Sequence, residues 1–63
     1  MMHYTESEYI DAGYKFERAK SANDAIAQSQ RIRIMLEREH ITDHVEARRL
    51  VDQGRQEARR TTT

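Results

Sequence analysis

Between Ala22 and Glu39 the apolar residues recur with the period of an α-helix. Ala22, Ala25, Ile26, Ser29, Ile32 and Leu36 fall at i, i+3, i+4, i+7, i+10 and i+14, forming one stripe that is small-sided at its start and bulky at its end. This is the longest run with an unambiguous helical period, and the segments on either side read as elements that pack against it. Upstream, Tyr9, Ala12, Gly13, Phe16 and Ala19 form one face, while Ile10 and Tyr14 form a second ridge about a quarter turn away. Downstream, Ala47, Leu50, Val51, Gly54 and Ala58 form a thinner stripe.

Local signals place the boundaries. Thr5 and Glu8 have the spacing of a capping box, with Tyr4 and Tyr9 as the hydrophobic staple around it, so the first helix is expected to begin at Glu6. Continuing the phase of Tyr9, Ala12, Phe16 and Ala19 would carry Asn23, Ile26, Gln30 and Arg33 into the core. A reset is therefore expected between Lys20 and Asp24, with Ser21 as a new N-cap. An antiparallel two-helix hairpin follows, with one kinked helix as the alternative because neither Gly nor Pro stands at the turn. In the hairpin, Phe16 faces Ala25 and Ile26, Tyr9 faces Ile32 and Leu36, and Phe16 is expected to be the most buried residue of the first helix.

Thr42 or Asp43 is positioned to cap a third helix, with Asp43 and Glu46 at capping-box spacing. Gly54 either costs about 1 kcal/mol inside that helix or ends it as an αL cap, so a shorter helix reaching Gln53 is expected. The predicted architecture is all-α: one small helical domain over residues 1–54, then a frayed or disordered basic tail over 55–63.

Size sharpens this picture. A chain of 63 residues makes one domain, and a domain this short buries only about 60% of the surface its unfolded chain exposes. With no Cys for disulfides and too little chain to enclose a cofactor, none is expected, and self-association is the expected source of extra stability. The composition is polar, at 37% hydrophobic and 35% charged residues with a mean hydropathy of −1.03. Disorder is nevertheless disfavoured by zero net charge, no Pro and two Gly. Eleven basic against eleven acidic residues create no global field for nucleic acid or an anionic membrane. No apolar run approaches the ~20 residues of a membrane span and Met1–Phe16 does not read as a signal peptide, so a cytoplasmic location is expected.

Candidate chemistry is sparse. His40 and His44 stand at i and i+4, but the predicted helix break between them spoils a shared metal face, and no metal ligand set is expected. The pairs Glu6 with Glu8 and Glu37 with Glu39 point to different sides of a helix, and Ser7, Ser21 and Ser29 have no histidine nearby in sequence. No catalytic residue is assigned, and an enzyme is not expected.

Arginine gives the one charge pattern that suits a ligand. Arg48, Arg55 and Arg59 line one flank of the third helix with Arg49 and Arg60 adjacent, a row suited to phosphates, although Glu46 and Asp52 are placed to neutralise it. Ile41-Thr42 followed by Val45–Gly54 resembles the recognition helix of winged helix–turn–helix repressors, in which a valine follows the turn and a Leu-Val pair precedes a glycine. The two strands that form the wing in that family have no counterpart in Arg55–Thr63, and no family membership follows.

The expected function is that of a small non-enzymatic interaction or regulatory module, homo-oligomeric and engaging a protein partner. Its contact surface is expected to comprise Ile10, Tyr14, Ile34 and Met35, apolar residues lying off the main stripes. The alternative is a small nucleic-acid-binding regulator that uses Arg48, Arg49, Arg55, Arg59 and Arg60.

Overall fold

The computed structural model describes residues 4–38 and 41–61. Among the described residues three helices follow one another: α1 (Glu6–Glu17), α2 (Ala22–Glu37) and α3 (Ile41–Thr61). The protein is all-α, with no strand among the described residues.

The first two helices start where their caps predict. Thr5 has extended backbone angles, and its Oγ1 accepts from the Glu8 amide at 3.2 Å. The Glu8 carboxylate takes the Thr5 hydroxyl at 3.2 Å. Tyr4 and Tyr9 close the staple edge to face, with ring centroids 5.8 Å apart. At the reset, Ser21 Oγ accepts from the Asp24 amide at 3.1 Å, and Asp24 Oδ2 accepts from the Lys20 amide at 3.2 Å. α1 and α2 are thus separate helices, divided by residues 18–21.

The core is built on α1 and α3. Tyr9 and Ala12 of α1 are buried with Ala47, Leu50 and Val51 of α3 and Met35 of α2, while Ile10, Ile32 and Leu36 pack around them half-buried. α1 packs chiefly on α3 and less on α2, while α2 and α3 scarcely meet. α1 is therefore the central helix, and a groove is left on the side where α2 and α3 fail to close.

Both glycines of the chain lie at the α1–α3 crossing. A Cβ on Gly13 would collide with the Val51 carbonyl, and one on Gly54 would collide with the Ile10 carbonyl and lie 2.9 Å from the Tyr14 amide nitrogen. Neither glycine has positive φ, so both are used for close approach rather than for backbone freedom. The space admits only a Cα hydrogen, in the geometry of a Cα–H···O contact worth about 0.5–1 kcal/mol.

This crossing corrects the expected end of α3. Gly54 is an interior helical residue, and α3 runs on to Thr61 as the longest of the three helices. Residues 55–61 are held because Ala58 is buried and because Glu17 engages both Arg55 and Arg59. Thr42 and Asp43, expected as caps, stand in the first turn of α3, and the environment of their side chains lies outside what is described, as does His40.

Two core assignments also change. Tyr9, at 0% exposure, is the large fully buried side chain of α1. Phe16 is only half-buried, its ring under the Arg55 guanidinium at 5.1 Å. On α2 the inward face is rotated by roughly a quarter turn from the expected stripe. Gln28 and Met35 turn inward, whereas Ala22 and Ser29 are exposed and Ile26, expected against Phe16, is 55% exposed.

Candidate interaction surface

The four residues expected to form a shared contact surface are dispersed. On α1, the flank carrying Ile10, Gly13, Tyr14 and Glu17 is turned toward α3. Ile10 packs against the core, and the Tyr14 hydroxyl lies 3.3 Å from Thr61 Oγ1 and receives a hydrogen bond from Arg18 at 2.9 Å. These contacts hold the Tyr14 phenol below its usual pKa, the Thr61 hydrogen bond most and Arg18 next. Met35 is in the core at 3% exposure. Of the four, Ile34 keeps a substantially exposed side chain, at 49%, in a shallow depression with Tyr4, Glu8 and Arg31. Met35 is thus a core residue, while Ile10 and Tyr14 make contacts within the chain and keep part of their surface exposed. Helical spacing correctly separated them from the main stripes, but it could not say that α3 would lie over one ridge and α1 over Met35.

The arginines are partly committed within the chain. Arg55 Nε and Arg59 Nε each lie 2.9 Å from one oxygen of the Glu17 carboxylate. The two guanidinium groups, Arg59 foremost, hold that carboxyl below the ordinary glutamate range. Arg49 pairs with Glu46, Nε to Oε2 at 3.1 Å, which lowers the pKa of the Glu46 carboxyl and raises that of Arg49. Arg48 and Arg60 are exposed, and Arg48 lies at the edge of the groove.

What the structure does bring together is the uncovered side of α2 and the groove beside it. The groove, about 180 Å³, is lined by Phe16, Ser29, Ile32, Leu36 and Val51, with Arg48, Asp52 and Arg55 along its α3 side. Adjoining it, Ala22, Ile26 and Ser29 extend the apolar strip along α2 into solvent. The surface combines the expected α2 stripe with a gap that the stripe does not fill, and its signal in the sequence was the stripe itself. Val45 of α3, 71% exposed, joins Ile26 and Ile34 as a large apolar residue facing solvent.

At the lower edge of α1, Asp11 bridges to Lys15 at 3.2 Å and to Arg31 of α2 at 3.6 Å. These side chains are well exposed, so the bridges orient α2 more than they stabilise it. No helix among the described residues is long and apolar enough to cross a membrane. No protein-family model, no curated protein and no solved structure matches the chain.

Proposed function

We propose that this chain is a non-enzymatic helical binding module that works through the outer face of α2 and the groove beside it. It self-associates there, and in that form engages a protein partner as a regulator or adaptor in the cytoplasm. In this reading α1 and α2 act as an antiparallel hairpin whose outer side carries the contact, and α3 is the strut that packs along α1 and borders the groove.

The observation that carries the proposal is Ile26. It sits in the middle of a helix-long apolar stripe and yet is 55% exposed, one turn before Ser29, which edges a groove of mixed apolar and charged lining. Burying one such aliphatic side chain contributes about 1.5–3 kcal/mol, a sizeable gain for a domain whose own core is small. An uncovered stripe next to a cleft is the pattern expected where a further helix is to lie.

Nucleic-acid binding is less well supported, because phosphates would have to displace Glu17 from Arg55 and Arg59 and Glu46 from Arg49. Sedimentation equilibrium of the wild-type chain and of Ile26→Glu tests the proposal. The wild type should self-associate, and the variant should be helical and monomeric. A wild type that stays monomeric, or a variant that associates equally well, would remove it.

A further inference from the structure

We infer that the cleft between the end of α1 and the start of α2 is a binding site for a small phosphate monoester. The cleft has a volume of about 320 Å³ and is lined by Tyr14, Lys15, Arg18, Lys20, Asp24 and Gln28. Asp24 and Gln28 stand two residues before and after Ile26, about 200° from it around the helix. The site is therefore separate from the outer face of α2 and from any association there.

Charge is the first argument. Three cations line the cleft with one carboxylate, in a chain whose charges cancel overall. Asp24 is committed to the turn, its Oδ2 accepting from the Lys20 amide at 3.2 Å while its own amide donates to Ser21 Oγ. Lys15 reaches Asp11, outside the lining, at 3.2 Å. Among the described residues Arg18 and Lys20 have no carboxylate within ion-pair distance. Arg18 is also held ready. Its Nη1 donates to the Tyr14 hydroxyl at 2.9 Å, and its guanidinium lies 5.5 Å from the centroid of the Tyr14 ring. The donors not used on Tyr14 form a fixed fork that suits the oxygens of a phosphate.

An orphaned amide is the second argument, and it is independent of the first. Gln28 Oε1 is buried and meets no donor among the described residues. A buried amide without a partner is costly, and a half-turn of this one gives up no bond at its oxygen. Its N–H donors then serve an anion held by Arg18 and Lys20. Size is the third argument. The cleft stands at the lower end of the ~300–1,000 Å³ range of small-molecule sites, and a bare phosphate would leave much of it empty. The remaining space, walled by the Tyr14 ring and the stem of Lys15, accommodates a short organic group joined to the phosphate.

Titration of the wild-type chain with inorganic phosphate, glycerol phosphate and glycerol, followed by amide chemical shifts in NMR, tests the site. Saturable shifts should centre on Lys20, Asp24 and the Gln28 side chain. Glycerol phosphate should bind at least as tightly as phosphate, glycerol should not bind, and added salt should weaken both phosphates. Arg18→Gln and Lys20→Gln replace exposed residues and should each weaken binding several-fold. Arg49→Gln, which removes a cation elsewhere, and Ile26→Glu, which tests association, should bind as the wild type does. Shifts that do not saturate at millimolar concentrations, or binding unaltered in Arg18→Gln and Lys20→Gln, would mean an adventitious ion only and overturn the site. Binding of phosphate with glycerol phosphate excluded would overturn its assignment to a monoester.

Discussion

Gly13 and Gly54 seat α1 and α3 on each other reciprocally. Each occupies the place where the other helix presents a carbonyl three residues before its own glycine, Val51 for Gly13 and Ile10 for Gly54. The obstacle to a side chain is backbone on both sides, so no rotamer change relieves it. Gly54→Ala should therefore lose stability by overpacking, about 1–3 kcal/mol or more, despite the ~1 kcal/mol that alanine returns as helix propensity. Gly13→Ala should behave alike, and the double variant should fall short of the sum, because one separation of the helices accommodates both methyl groups. Thermal melts by circular dichroism decide it: a melting temperature at or above wild type for either single variant would mean that the helices do not meet there.

Acid should loosen the C-terminal half of α3. The Glu17 carboxyl is held below its ordinary pKa by Arg59 and Arg55. A group whose folded pKa is depressed contributes stability above its unfolded pKa and loses it as pH falls through the folded one. Wild type and Glu17→Gln should therefore differ most at neutral pH and converge below the ordinary glutamate range near 4. Glu46, lowered by Arg49, adds a second contribution over the same range. Melting curves from pH 7 to pH 2.5 check this, and a constant gap between the two proteins would show that the clasp does not stabilise the fold.

What was legible beforehand was local. Thr5, Ser21 and the Tyr4–Tyr9 staple announce helix starts, because capping needs only neighbours along the chain. Gly54 misled for the same reason: a glycine late in a thin stripe reads as a terminator until it is known that a carbonyl of another helix lies against it. α2 misled by degeneracy. It has apolar residues on several sides, so the choice between burying Ile26 and burying Met35 was made by α1, which covers the Met35 side. Ile10 and Tyr14 looked unpartnered because one hairpin partner cannot cover two ridges, and no local signal lays α3 along the second.

Burial predicts an order of sensitivity opposite to the one the pattern suggests. Tyr9→Ala empties a fully enclosed site beneath Ala47 and Leu50 and should cost about 3–5 kcal/mol. Phe16→Ala removes a half-exposed ring and should cost distinctly less. Comparison of their denaturant midpoints settles it, and an equal or larger loss for Phe16→Ala would place the core elsewhere.

Tyr14 ties the end of α3 to α1 through Thr61 and Arg18. Tyr14→Phe should leave the oligomeric state unchanged and raise the hydrogen-exchange rates of amides in the last two turns of α3, with little effect near Gly13. Dissociation of the variant would instead make Tyr14 part of an intermolecular contact.

The central claim is that the open side of α2 is covered by association, and the dependence of melting on concentration tests it most directly. An associating chain gains stability by mass action, so the wild-type melting temperature should climb by several degrees over a roughly hundredfold rise in concentration. For Ile26→Glu it should stay flat and lie at or below the lowest wild-type value. A wild-type melting temperature independent of concentration would contradict the account.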